Sequence, residues 1–333
     1  MEKVLFVGNF LSKHKGSIGP TEKLAVSLSG DFKIITASTL KSQPLRLADI
    51  AFKTLTASYN FIAIDVYSTK AFAFAEVATT IAAFRKKKTV LVLHGGALPE
   101  LFAKQPERVK KVFARAWKIV SPSSYLQDFF AKNGFTVEVI PNSVNTDIFT
   151  FDRSKVKPFS LLWVRSFKYI YNPQIPIKVI ALLKDTFPKI SLTMVGHDDG
   201  LMDECKALAR QLDVTERIEF VGRVDNQQLP AYYNTHSVYL NTTNYESFGI
   251  AVVEAAMCGI PVISSNVGEI PYMWDNGENI TTVNTITPED FASAVEKLLQ
   301  NPDYASQQAE NALKITQKFS WVEIKKQWLK LFQ

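Results

Sequence analysis

The amino-acid sequence predicts an α/β protein built from two parallel, doubly wound sheets in series. Its 333 residues suffice for two domains that each bury a core of their own. Short runs rich in β-branched and aromatic residues alternate with helical segments, an order that implies parallel sheets. The alternation stops at a polar, proline-containing stretch, residues 152–158, and then starts again.

In the first half the expected strands are residues 4–8, 32–37, 61–66, 89–94, 119–122 and 137–141, with a helix over 24–29 after a glycine-rich segment. In the second half they are residues 160–164, 191–196, 218–222, 238–241, 261–264 and 280–283. Residues 1–152 and 158–317 are therefore read as two Rossmann-like domains. Such a pair places a cleft between the sheets, with strand carboxyl ends opening into it.

Composition narrows the class. A hydrophobic fraction of 47% beside 21% charged residues is that of a soluble globular protein and excludes a disordered one. Cys205 and Cys258 stand far apart and belong to no metal-ligand spacing, so neither a disulfide framework nor a zinc site is expected. The first apolar run, residues 4–8, lacks the cationic start and cleavage site of a signal peptide, which points to a cytoplasmic protein. Residues 71–84 form the longest nearly uncharged stretch; they contain Glu76 and fall short of the roughly 20 apolar residues of a spanning helix.

Charge is unevenly shared. Residues 1–150 carry 20 Lys and Arg against 11 Asp and Glu, a net +9, whereas residues 151–333 carry 18 against 21, a net −3. Part of the excess is Arg85-Lys86-Lys87-Lys88. Another part is Arg108, Lys110, Lys111, Arg115 and Lys118, interleaved with Val109, Val112, Phe113, Ala116 and Trp117 at helical spacing. That segment has two readings: a solvated face over an ordinary core helix, or a face resting on an anionic membrane surface. Nucleic acid is not an expected partner, because no recognised binding motif or regular aromatic interleaving is present.

The densest chemical signal runs from Asn244 to Ile263. A strand leads into a turn, and a helix expected over 249–258 is stopped by Gly259. The free N–H groups at the start of such a helix form an anion site, and Gly249 lets a phosphate or sugar approach the backbone. Glu254 lies about one turn in, where its side chain leans back toward the helix N-terminus. A carboxylate there repels phosphate but accepts hydrogen bonds from the adjacent hydroxyls of a ribose or hexose.

Glu246 and Glu254, eight apart and followed by Cys258-Gly259-Ile260-Pro261-Val262, resemble the E-x7-E signature of the retaining family 4 glycosyltransferases of GT-B fold. Segments 121–126, 140–149, 194–196 and 218–224 occur in that family's order, so the resemblance covers nearly the whole chain and makes Arg223 and Val224, in the last of them, donor-binding candidates. It implies an N-terminal acceptor domain, a C-terminal donor domain and a last helix, about residues 318–333, that packs back on the first. By the same resemblance Glu254 would bind the ribose hydroxyls. Glu246, Ser247 and the backbone of Phe248, Gly249 and Ile250 would hold the transferred sugar and distal phosphate.

Arg165, just after the first strand of the second half, matches the family arginine that neutralises the diphosphate, a task suited to a permanently charged, planar fork of donors. The lysine usual five or six positions later is replaced by Ile170 and Tyr171. Either Lys168 reaches the phosphate from another register or Tyr171 supplies a neutral hydrogen bond. His94, at the end of an apolar strand and before Gly95-Gly96, matches the family histidine near the reacting carbon of the donor sugar. Gly19, in the segment 16–23, is expected to line the site, although its spacing is not that of a dinucleotide fingerprint. His14, His197 and His236 have no such context and are read as structural or exposed.

The expected activity is metal-independent transfer, with retention, of a hexose-type sugar from a nucleotide diphosphate sugar to a glycan or lipid-linked acceptor. No cofactor and no metal ligand is expected, since no D-x-D occurs and Asp198-Asp199-Gly200 reads as a turn. Arg165, Glu246 and His94 are the catalytic candidates. The alternatives are a degenerate, non-catalytic nucleotide-sugar-binding protein, or a related GT-B hydrolase or epimerase. The basic first half makes the inner membrane face a candidate location.

Overall fold

The computed structural model describes residues 1–12, 19–68 and 70–333. These residues form two compact units, Met1–Asn142 with Ile324–Gln333, and Ser143–Glu323. Among them, twelve strands make two six-stranded sheets.

The first unit contains β1 (Lys3–Val7), β2 (Lys33–Ala37), β3 (Phe61–Val66), β4 (Lys88–Leu93), β5 (Lys118–Ser121) and β6 (Glu138–Val139) in the spatial order β2-β1-β3-β4-β5-β6. Every pairing is parallel. Strands of this kind are covered on both faces and so read as unbroken apolar runs, which is why all six residues of Phe61–Val66 are buried. The chain order reverses between β1 and β3. That reversal is where open α/β sheets present ligand crevices at their strand carboxyl ends.

The second unit contains β7 (Ser160–Val164), β8 (Ser191–Val195), β9 (Ile218–Gly222), β10 (Val238–Asn241), β11 (Val262–Ser265) and β12 (Thr281–Val283) in the order β12-β11-β10-β7-β8-β9, again all parallel. Renumbered from its own first strand this is the 3-2-1-4-5-6 order of a dinucleotide-binding sheet. Its switch point lies between β7 and β10. One apolar cluster gathers Trp163, Phe167 and Phe291, and another gathers Tyr233, Phe248 and the helix Ile250–Met257.

Several boundaries differ from expectation. The stretch 152–158 lies inside the second unit, whose core already takes Val144 and Phe149, at 2% exposure each. Val144 is tied there by its N–H to the Phe319 carbonyl at 3.0 Å. The helix expected over 24–29 is Pro20–Ser27, because a proline at the first helical position sets the entry four residues earlier. The basic segment forms a shorter helix, Pro106–Phe113, and Trp117 lies beyond it. Val109, Val112 and Phe113 are buried in the first unit's core, so the apolar stripe of that helix faces inward. Outside, Arg108 pairs with Glu76 and Lys110 with Glu107.

The last helix, Trp321–Leu331, carries the chain back to the first unit. There the Phe332 ring meets Phe6, Phe32 and Phe61 at centroid distances of 6.3, 5.5 and 5.5 Å, and Lys325 Nζ sits 2.8 Å from Asp31. No helix among the described residues is long and apolar enough to cross a membrane.

Candidate active site

In the second unit the switch point brings together residues far apart in sequence. Arg165 follows β7 and Asn241 ends β10; the guanidinium donates to Asn241 Oδ1 from Nε at 3.2 Å and from Nη2 at 2.9 Å. Nη2 also pairs with the Glu246 carboxylate. Burial by itself lowers the Arg165 pKa, but the Glu246 charge and the hydroxyls of Tyr239, Tyr171 and Tyr233 more than offset it, and the net shift is upward. Among the described residues Nη1 makes no hydrogen bond, so two N–H donors stay available on a side chain that is 13% exposed.

The loop from β10 to the next helix is locked on both sides. Asn172, at φ 47°, donates to the Thr242 carbonyl at 3.0 Å and to Asn244 Oδ1 at 2.6 Å. Ser265 Oγ donates to the Thr243 carbonyl at 2.5 Å. Beneath it Gly268, at φ +58°, packs so closely that a Cβ would lie 1.9 Å from the Glu246 carbonyl oxygen. Position 268 must be glycine for Glu246 to sit where it does.

The helix Ile250–Met257 starts at Gly249, whose φ of 88° turns the chain in a left-handed step. Its carbonyl accepts from Val252 at 2.9 Å and Val253 at 3.0 Å, while helix geometry leaves the N–H groups of Ile250 and Ala251 without intrahelical acceptors. Ser247 and Ile250 are half-buried, and the Phe248 ring is buried against Phe319. Glu254 is 7% exposed, with the Tyr233 hydroxyl 3.5 Å from its Oε2.

Tyr171 lies against Arg165. Its ring stacks beneath the Arg165 guanidinium, 5.3 Å from centroid to Cζ. Lys168 is 56% exposed and turned to Asp199 at 3.5 Å. Arg223 and Val224 follow Gly222 at the end of β9, two strands from β7, with Val224 packed partly against the cluster around Phe248.

The first unit has a polar cluster at its own switch point. His94, just after β4, has Nε2 3.4 Å from Asp65 Oδ1 on β3 and 3.4 Å from Thr21 Oγ1. Asp65 also accepts from Thr21 Oγ1 at 2.5 Å and from the Tyr67 hydroxyl at 3.2 Å. Gly19 precedes the helix Pro20–Ser27 and its carbonyl accepts from Lys23 at 2.9 Å. Gly16 to Ile18 and His14 lie outside the described residues. His197 is exposed, while His236 is buried and bonded to Tyr232 and Thr193.

Asn241, Asp65, Thr21 and Tyr67 were not singled out from sequence. The available signal was a lone acid in an otherwise apolar strand, Phe61-Ile62-Ala63-Ile64-Asp65-Val66. Among the described residues no group of three or more His, Cys, Asp or Glu side chains is placed to hold a metal ion. Asp198 accepts from the N–H groups of Gly200 and Met202 and caps a turn.

The family described as glycosyl transferases group 1 matches residues 145–315, just over half of the chain. The chain belongs to this family. A relative is the D-inositol 3-phosphate glycosyltransferase of Corynebacterium jeikeium, 26% identical over 224 residues, which cover 61% of this chain and 54% of that protein. The chain spans about half the length of the curated relatives it matches. Sucrose-phosphate synthase from Thermosynechococcus elongatus superposes with a TM-score of 0.81 at 17% identity, over 100% of this chain and 98% of the other. Anabaena HepE, solved in complex with UDP-glucose, superposes with a TM-score of 0.77 at 17% identity over 99% of both chains. These likenesses establish that the chain has the GT-B fold.

Proposed function

We propose that the chain moves a hexose-type sugar from a nucleotide diphosphate sugar to a glycan or lipid-linked acceptor, with retention and without a metal ion, as a family 4 enzyme. The observation that carries this reading is the buried Arg165, Asn241 and Glu246 cluster beside the helix N-terminus at Gly249. Breaking a sugar–phosphate bond leaves negative charge on the diphosphate, and the free Arg165 donors and the amides of Ile250 and Ala251 are the groups here that oppose it. Glu246 and Glu254 then accept from sugar and ribose hydroxyls. Support for a UDP-sugar comes from HepE, whose structure holds UDP-glucose.

A second reading, nucleotide-sugar binding without turnover, draws on the outward turn of Lys168 toward Asp199, which leaves Arg165 the nearer side-chain cation for the phosphates. The two separate in one assay. Transfer predicts release of nucleoside diphosphate only when acceptor is supplied, with chelator leaving the rate unchanged; a degenerate binder gains thermal stability from the donor and releases nothing. A ligand at 100 times its dissociation constant adds about 2.7 kcal/mol, so a panel of nucleotide sugars identifies the donor by melting temperature.

An acceptor anchored at the inner membrane face fits the net +9 of the first 150 residues. It also fits the helix Gln43–Thr56, which buries Arg46 and Thr54 while Leu45, Phe52 and Leu55 are 58, 66 and 51% exposed on one outward stripe. Binding to vesicles containing anionic lipid, weakened by Phe52→Ser and by salt, is expected; indifference to such vesicles at low salt would count against that location.

A further inference from the structure

We propose that Asp65 is a positioning residue that fixes the tautomer of His94, leaving Nδ1 as the ring atom that accepts a hydrogen bond from a sugar hydroxyl. This rests on the reading of His94 as a residue facing the transferred sugar.

Asp65 occupies an expensive seat. Its carboxylate is 4% exposed on the central strand β3, and among the described residues its one ion-pair partner is His94. A carboxylate buried this deeply costs stability, which the nearby Arg46 charge offsets in part without forming an ion pair with it among the described residues. The fold makes room for it all the same: a Cβ on Gly8 would lie 2.3 Å from Asp65 Oδ2, so the chain keeps a glycine at the end of β1.

The proton positions follow from the donors. Burial first, and the Asp65 charge next, push the Tyr67 hydroxyl well above its ordinary pKa, so it keeps its proton and donates it to Asp65. Thr21 Oγ1 has a single proton and stands 2.5 Å from both carboxylate oxygens, so that proton also goes to Asp65. Thr21 therefore presents only lone pairs to His94. Nε2 then meets the lone pairs of Thr21 Oγ1 in a 3.4 Å hydrogen bond, with the Asp65 Oδ1 charge also 3.4 Å away, and must carry the proton itself. In the neutral imidazole Nδ1 is left as the acceptor. Stacking on Tyr67, with centroids 6.1 Å apart and planes 27° from parallel, restrains the ring in that pose. The remaining charge nearby, Arg46, is committed to the Gly8 carbonyl and Asn9 Oδ1.

Replacing Asp65 by Asn keeps the shape; with the amide oxygen at the Oδ2 position, where the Tyr67 hydroxyl donates, the NH2 faces Nε2 and favours the proton on Nδ1. Histidine-selective 15N NMR, with His94→Ala assigning the signal, is expected to show Nε2–H in the wild type and Nδ1–H in Asp65→Asn. The same substitution should lower kcat about tenfold in the wild-type background and have no further effect in His94→Ala. An Nδ1–H imidazole in the wild type overturns the proposal, as does an equal loss in both backgrounds. A silent Asp65→Asn beside an inactive His94→Ala rejects Asp65 alone, whereas full activity of His94→Ala rejects the reading of His94 itself.

Discussion

Arg165 holds a permanent charge almost entirely inside the second unit, and each of its bonds narrows what can replace it. Lysine keeps the charge but not the fork that spans Asn241 and Glu246, so Arg165→Lys is expected to weaken donor binding at least tenfold by calorimetry. Arg165→Met goes further, because it strands a carboxylate that is 8% exposed; a loss of about 3–5 kcal/mol in chemical unfolding is expected. Glu246→Gln leaves the buried Arg165 charge without its ion-pair partner, but Asn241 still accepts from the guanidinium, so a smaller stability loss than in Arg165→Met is expected, together with lower transfer. At Gly268 the constraint is steric. Alanine there meets the Glu246 carbonyl at 1.9 Å in a left-handed backbone, so Gly268→Ala should cost more than 1 kcal/mol and impair the donor site even in protein that folds.

Elements combine these demands. The helix Ile250–Met257 is apolar on nearly every side, with Glu254 its lone charge, so one short segment serves as core and as a wall of the site. Another local assembly sets a pH dependence. His236 ends the helix Leu229–Thr235, with Nδ1 2.7 Å from the Tyr232 carbonyl and Nε2 2.8 Å from Thr193 Oγ1. Burial holds its pKa below the ordinary value of 6.5, only partly countered by the Tyr232 carbonyl. The unfolded chain then binds a proton that the folded one resists, so this contribution is complete above about pH 6.5 and is lost as pH falls below it. Melting temperature should drop between pH 7.5 and 5.5, and His236→Asn should flatten that slope.

Across the whole molecule the strands were legible because most carry a short β-branched or aromatic run, fully buried in Phe61–Val66 and Ser160–Val164, and the signature residues because their spacing is local. Pairings were not. Arg165 meets Asn241 and Glu246 across 76 and 81 residues, and Thr21 meets Asp65 across 44, distances at which no periodicity survives. Unit boundaries were hidden for the same reason: what assigns Val144 to the second unit is a bond to Phe319. Phe332, 1% exposed, is the clearest long-range tie of the first unit. Phe332→Ala should cost about 3–5 kcal/mol, read as a shift in whichever calorimetric transition belongs to that unit.

The return of residues 324–333 also dictates an order of events on the ribosome. Phe332 packs on Phe6, a partner made hundreds of residues earlier, so no nascent chain that stops before Ile324 can finish the first core. The second unit, by contrast, needs only what has emerged by Glu323. Although it is translated later, it should become resistant to protease first, with the N-terminal sheet waiting, incomplete and exposed, for the final turns of helix.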